Sequence, residues 1–264
     1  MVKLQLIGGG KMGEALLVGL VAAGWAQPEE LRVVEKLPAR RDELSARLNG
    51  VEIGERPGPA EGVVIAVKPG DVPAACTELA AAGLPSRLLS VAAGVTIPAL
   101  EAALGSPVAV IRAMPNTPAL VGAGIAAIAP GSCAGPDDLD WAAGILGAVG
   151  KVVRVNEPQL DAVTGLSGSG PAYVFLVAEA LIEAGVLVGL PRPVAESLAL
   201  ETIAGSGRLL IESGRSPADL RADVTSPGGT TAAGLRALED RAVRAAFLDA
   251  VQAATARSAE LGRS

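Results

Sequence analysis

Histidine is absent from the 264-residue chain, and cysteine occurs only as Cys76 and Cys133. Without histidine there is no Ser-His-Asp or Cys-His nucleophile and no Cys/His zinc set, so no metal is expected. The two cysteines lie far apart and read as reduced, buried small residues of a cytosolic protein. Aromatic residues make up 2% of a chain that is 50% hydrophobic, so the core is expected to be Ala, Val and Leu. That leaves few rings to stack on bases, and a net charge of −6 repels a polyanion, which argues against nucleic acid as a partner. The longest apolar segment, Ala172 to Leu190, carries Glu179 and Glu183 and reads as a buried helix rather than a membrane span. Residues 14–26 have some character of a secretory core, but Lys11 and Glu14 interrupt it. The expectation is a soluble, cytoplasmic protein.

Glycine, by contrast, is abundant and patterned. Val2 to Ile7 is a short apolar run, Gly8-Gly-Gly-Lys-Met-Gly13 follows at once, and Glu14 to Gly24 reads as a helix. Gly8-x-Gly10-x-x-Gly13 thus sits between a strand and a helix, where a dinucleotide fingerprint belongs. Gly8 would make the tight turn, Gly10 admit a pyrophosphate, and Gly13 let helix and strand pack closely. The next strand, Leu31 to Val34, ends at Glu35, whose carboxylate suits a ribose 2′-hydroxyl and hence NAD. Lys36, Arg40 and Arg41 follow and suit a 2′-phosphate, or simply a solvated helix face with Asp42 and Glu43. The choice between NAD(H) and NADP(H) stays open here.

Through the first half, strand patterns at 2–7, 31–35, 63–67, 87–92, 107–112, 124–129 and 151–155 alternate with helices near 11–24, 39–49, 71–82, 97–104 and 136–149. Such alternation predicts a mostly parallel, doubly wound sheet with helices on both faces: an α/β Rossmann-type domain over 1–155. After about residue 156 only helical spacing remains, in Ala172–Leu190, Arg192–Ser213, Ala232–Leu238 and Val243–Leu261. An all-α domain over 156–264 is expected. Its helices are too apolar to face water and are predicted to bury surface in a homodimer.

Several loops fall at strand ends, where a doubly wound sheet holds its ligand. Lys68, after the strand 63–67, would touch a phosphate or ribose, or be an ordinary strand-end charge. Small residues from Val91 to Gly94, Ala93 among them, leave space for a nicotinamide. Pro115 and Pro118 stiffen the loop after Arg112-Ala-Met114, where Asn116 and Thr117 offer polar groups or simply a turn. Ser167 to Pro171 precedes the Ala172 helix and is either a helix start, capped by Ser169, or a pair of hydroxyls near the nicotinamide. The other conspicuous stretch is Asp223-Val-Thr-Ser-Pro-Gly-Gly-Thr-Thr231, with hydroxyls at Thr225, Ser226, Thr230 and Thr231 and a Pro-Gly-Gly turn opening an Ala-rich helix. Free amides at a helix start attract a carboxylate, so a cofactor and a small acid are expected to meet in one cleft; the alternative is a Thr-capped turn.

These motifs together resemble pyrroline-5-carboxylate reductase over essentially the whole length. The resemblance is carried by Gly8–Gly13, Ala66-Val-Lys-Pro69, Val91-Ala-Ala-Gly94, Arg112-Ala-Met-Pro-Asn-Thr-Pro118, Ala162 to Tyr173 and Asp223 to Thr231. It implies NAD(P)H-dependent reduction of (S)-1-pyrroline-5-carboxylate to L-proline, the last step of proline synthesis, by a Rossmann-type domain with a helical dimerisation domain, assembled as a dimer or a ring of dimers. By the same resemblance Ile7, Gly8, Gly10, Lys11 and Met12 would bind the pyrophosphate. Val67, Lys68 and Pro69 would line the adenosine and ribose side, and Met114, Pro115 and Asn116 the nicotinamide side. Ser226, Gly228, Gly229, Thr230 and Thr231 would form the substrate loop, with the Gly229 and Thr230 amides on the carboxylate and the Thr231 hydroxyl near the ring nitrogen as the catalytic group. Glu35-Lys36 departs from the family's usual small polar and basic residues. A β-hydroxyacid dehydrogenase joins similar domains but uses a lysine in its helical half, and no lysine follows Lys151 here. A nucleotide sensor would have no use for a carboxylate pocket.

Overall fold

The computed structural model describes residues 2–262. Its first unit holds one eight-stranded sheet in the order β3-β2-β1-β4-β5-β6-β7-β8. The strands are β1 (Leu4–Ile7), β2 (Leu31–Val34), β3 (Glu52–Gly54), β4 (Gly62–Ile65), β5 (Arg87–Ser90), β6 (Ala109–Met114), β7 (Gly124–Pro130) and β8 (Gly150–Arg154). All neighbours pair parallel except β6 and β7. Parallel pairing needs a long crossover, whereas the short Pro115–Ala123 connection, wound into a 3-10 turn at Thr117–Val121, turns the chain straight back.

Alternation along each buried strand sends side chains to two cores. Leu4, Leu6, Val64, Leu89 and Ile111 join Leu16, Leu17 and Leu20 of α1 (Lys11–Ala22), Leu44 of α2 (Pro38–Arg47) and Ile145 of α5 (Pro136–Gly147). Ile7, Val63, Ile65, Leu88 and Val110 join Cys76 and Leu79 of α3 (Val72–Ala82) and Leu100 of α4 (Ile97–Leu104) on the opposite face. Each fully buried Leu or Ile is worth about 1.5–3 kcal/mol, so two layers of aliphatics suffice without aromatic bulk. Burial also pushes the Cys76 thiol up, away from reactive thiolate. Cys133 corrects the expectation that both cysteines are buried: it lies exposed before α5.

Past β8 come α6 (Leu160–Val163) and a π turn at Thr164–Gly168, closed by Ser169 N–H donating to Thr164 O at 2.8 Å. Ser169 is therefore already helical, with φ −84° and ψ −22°, and does not cap the helix that follows. Contacts divide the chain between Ser169 and Gly170, later than the expected boundary at 155/156, and return Gln252 onward to the first unit. That return has a visible anchor: Ser258 donates its hydroxyl to Asp161 Oδ1 at 2.7 Å, and Leu261 lies beside Gly94.

The second unit is all helical: α7 (Gly170–Leu187), α8 (Arg192–Glu212), α9 (Pro217–Asp223), α10 (Thr230–Asp240) and the start of α11 (Val243–Leu261). Buried Ala178 of α7 and Ala195 and Ala199 of α8 mark the small-residue seam where these two helices pack. The expectation that α7 is buried fails within the single chain: Phe175 and Leu176 are 61% and 66% exposed. Leu198, Ile211 and Leu248 are exposed likewise. Among the described residues, one helical run, Glu157–Leu187, is long and apolar enough to cross a membrane by length and composition.

Candidate functional site

The glycine loop after β1 has three glycines with three different environments. Gly8, at φ +109°, would put a Cβ 2.6 Å from Ala66 O, and Gly13 would put one 2.2 Å from Gly8 O. Both are required by close backbone approach. Around Gly10 there is nothing within 4 Å of the Cβ position, so this glycine leaves open space. It is also the N-cap of α1, with no side-chain cap, and the first helical bond is Glu14 N–H to Gly10 O at 2.9 Å. The preceding amides have no helical acceptor and face a helix dipole's positive end. An open, uncapped helix start beside a glycine cradle fits the pyrophosphate of a dinucleotide.

The site lies where the order of the sheet reverses, between β1 and β4. Ile7 ends β1 and is buried, and Met12 packs against the α1-side core. Glu35 follows β2 directly. Its Oε2 accepts the Gly9 N–H and its Oε1 the Leu37 N–H, both at 3.0 Å. Lys36 Nζ binds Glu78 at 2.7 Å, a hydrogen bond and charge that push its ammonium above the usual range. Arg40 donates to Gly9 O at 2.8 Å, to Glu43 at 2.7 Å and to Glu14 at 2.6 Å, and those carboxylates raise its already high pKa. The sequence pattern located these residues; that the cations are already engaged was not visible in it.

Val67, Lys68 and Pro69 leave the end of β4, Ala93 follows β5, and Met114 is the last residue of β6. Lys68 is exposed and its carbonyl accepts the Asp71 N–H at 2.9 Å. Pro115 leads to Asn116, whose Oδ1 accepts Ile125 N–H at 3.0 Å across the β6–β7 turn, so that its amide oxygen holds the loop's shape. A Cβ on Gly168 would stand 2.5 Å from Met114 Cε, so the π turn and the end of β6 are in contact. Arg112 is buried and paired with Glu157 at 3.1 Å, a structural tie. Glu157 also accepts the first amide of α4, from Ile97, at 2.6 Å.

In the second unit, Ser226 to Gly229 forms a turn closed by Gly229 N–H donating to Ser226 O at 3.0 Å, with Gly228 at φ +69°. Gly229 is the N-cap of α10 and lacks a side-chain cap. Thr230 and Thr231 open the helix, whose first bond is Ala233 N–H to Gly229 O at 3.2 Å. The alternative of a Thr-capped turn is therefore not what forms: the Thr225 hydroxyl donates back to Arg221 O at 2.6 Å instead. Asp223, at the end of α9, pairs with Arg215, which donates a hydrogen bond that holds its carboxyl below the usual range.

Comparison with known proteins agrees with this arrangement. The chain is 45% identical over 265 residues to the pyrroline-5-carboxylate reductase of Synechocystis, covering 99% of each, and 41% identical to that of Corynebacterium melassecola, covering all of both. The chain belongs to the pyrroline-5-carboxylate reductase family. The family model for pyrroline-5-carboxylate reductase dimerisation matches residues 157–261, and a model described as NADP oxidoreductase, coenzyme F420-dependent, matches 3–94. Among solved structures, the pyrroline-5-carboxylate reductase of Coxiella burnetii superposes with a TM-score of 0.93 at 37% identity, covering 100% of this chain and 99% of that one. The Plasmodium falciparum enzyme, solved with NADP bound, gives 0.86 at 30% identity, covering 99% and 98%. As a member of this family the chain is an NAD(P)H-dependent oxidoreductase with an α/β Rossmann-type domain and a helical dimerisation domain.

Proposed function

We propose that the chain reduces (S)-1-pyrroline-5-carboxylate to L-proline with NAD(P)H, the final step of proline biosynthesis. The observation that carries this reading is the uncapped start of α10 behind the Ser226–Gly229 turn, in a chain alike to the named reductases from end to end. An uncapped helix start takes a carboxylate, and here it is bordered by hydroxyls rather than by charges. In this reading the Gly229 and Thr230 amides hold the substrate carboxylate, with Ser226 and Gly228 shaping the turn. Gly8, Gly10, Lys11, Met12 and Gly13 cradle the pyrophosphate, and Ile7 backs the loop. Glu35 and Lys36 stand at the ribose, Val67, Lys68 and Pro69 on the adenosine side, and Ala93, Met114, Pro115 and Asn116 at the nicotinamide.

The chemistry asks little acid–base work of the protein. When bound, the reduced nicotinamide supplies the hydride that forms the new C–H bond at the imine carbon. The C=N electron pair passes to a nitrogen that holds a proton taken from water. No histidine is needed. Thr231, through its hydroxyl, orients the ring nitrogen or a water beside it, and the loop amides fix the carbon in place; positioning is the main contribution. The apolar faces of α7, α8 and α11 are covered by a second copy in a homodimer, and dimers assemble into a ring. The compartment is the cytoplasm.

The test is oxidation of NADH and NADPH by purified protein with racemic pyrroline-5-carboxylate, followed by absorbance, with the product identified as proline by mass spectrometry. Proline formed in proportion to nucleotide oxidised is the expected result. Nucleotide binding with no oxidation overturns the reductase reading. Light scattering on the same sample reads the assembly, expected at an even number of chains.

A further inference from the structure

We propose that this chain takes NADH in preference to NADPH and that Glu35 is the residue that makes the choice. The proposal rests on the cofactor reading above. The register of the sheet pairs Ile7 of β1 with Val34 of β2, so the residue after β2 stands beside the glycine loop after β1. Glu35 is tied there by both carboxylate oxygens, to the amides of Gly9 and Leu37 at 3.0 Å each. In a doubly wound fold the end of this strand meets the adenosine ribose.

A carboxylate only accepts hydrogen bonds. It suits the ribose hydroxyls of NADH, each of which has a proton to give. A 2′-phosphate at the same place has no donor to offer and brings a charge of about −1.5 to −2 against a fixed negative group. The neighbouring cations do not redress this. Lys36 is held by Glu78. Arg40 spends its Nε on Gly9 O and its two terminal nitrogens on Glu43 and Glu14. Arg41 donates from Nη1 to the backbone carbonyls of Glu35 and Lys36, both at 2.9 Å, and its Nη2 lies 3.8 Å from Glu55. The Arg41 guanidinium therefore braces the turn that carries the carboxylate, while that of Arg40 ties α2 to the glycine loop and to α1. Arg56 lines a cleft with Lys36 and Glu78 and has no ion pair among the described residues, so it is the cation the test has to separate from Glu35.

The experiment is direct binding, without substrate, read by the fluorescence of each reduced nucleotide as it is titrated with protein. NADH is expected to bind at least about tenfold more tightly than NADPH, the scale of a like-charge contact near a protein surface. Glu35→Ser should shrink that ratio to near unity or reverse it, and Glu35→Gln should shrink it while keeping an acceptor for one of the two amides. Arg56→Ala should leave the ratio unchanged. Thermal melting of each variant shows that it is folded. NADPH bound as tightly as NADH by the unaltered protein overturns the preference and leaves the reductase reading standing. A ratio unmoved in both Glu35 variants removes Glu35 as its cause. Binding of neither nucleotide overturns the preference and the cofactor reading together.

Discussion

Gly229 stands over Ser226 so closely that a Cβ on it would lie 2.5 Å from Ser226 Oγ and 3.2 Å from Ser226 O. The serine hydroxyl can rotate away, but the carbonyl belongs to the turn and accepts the Gly229 N–H, so the turn itself has to open. Gly229→Ala should therefore displace the amides proposed to hold the substrate carboxylate. Losing a hydrogen bond to a charged group raises KM for pyrroline-5-carboxylate by roughly tenfold or more. The Kd for the nucleotide should not move. A KM within twofold of the unaltered protein would separate this turn from substrate binding.

Thr231 is the second residue of α10, whose N-cap is Gly229 and whose start carries no side-chain cap. Removing its hydroxyl costs the fold little and the reaction more. Thr231→Ala is expected to lower turnover by roughly 10- to 100-fold, as loss of a group that orients a proton transfer does. Thr231→Ser, which keeps the hydroxyl, should recover most of it. A change of less than twofold in kcat/KM for the alanine variant would sink the role.

How much of this was legible in the sequence differs by element. The strands β1, β2 and β4–β8 announce themselves as short apolar runs between glycine or proline turns, and the helices of the second unit as long Ala-rich stretches. Strand β3 does not: three residues, Glu-Ile-Gly, pair only with β2 at the sheet edge, with Ile53 half-buried. Helix α9 escapes for a similar reason, since its seven residues bring a single Leu220 and no stripe. The π turn at Thr164–Gly168 is a shift in hydrogen-bond partner and leaves no trace in composition. At the site, glycine spacing identifies the cradle, but the Gly9–Glu35 bond exists only once β1 and β2 lie side by side, and Ser258 reaches Asp161 across 97 residues.

Gly10 and Gly13 offer a sharper test of that cradle, because the same substitution meets opposite surroundings. A Cβ at Gly13 meets the Gly8 carbonyl at 2.2 Å, which is backbone and cannot swing away. Gly13→Ala should destabilise the protein by about 1–3 kcal/mol, the range for overpacking, measured by urea unfolding. Gly10 has φ −66° and open space, so Gly10→Ala should leave the unfolding midpoint unchanged. Its methyl group would instead occupy the approach of the pyrophosphate and weaken nucleotide binding by roughly tenfold or more. Unimpaired binding in folded Gly10→Ala protein would place the pyrophosphate elsewhere.

Asp223 and Arg215 form an exposed pair that sets a pH dependence of known sign. The hydrogen bond from Arg215 lowers the Asp223 pKa from its ordinary 3.8. A carboxyl whose folded pKa is depressed stabilises the fold above its unfolded value, and that contribution is lost as pH falls through the folded pKa. The effect therefore belongs to the acid limb below 3.8 and is fully present at neutral pH. Arg215→Ala should return the Asp223 titration toward 3.8, read from its carboxyl carbon shift by NMR. The stability difference between Arg215→Ala and the unaltered protein should be largest at neutral pH and close at the acid end of that limb. Both side chains are about half-exposed, so salt should weaken the difference as it screens the pair. An Asp223 midpoint that stays depressed without Arg215 would mean that the end of α9 holds the carboxylate by other means.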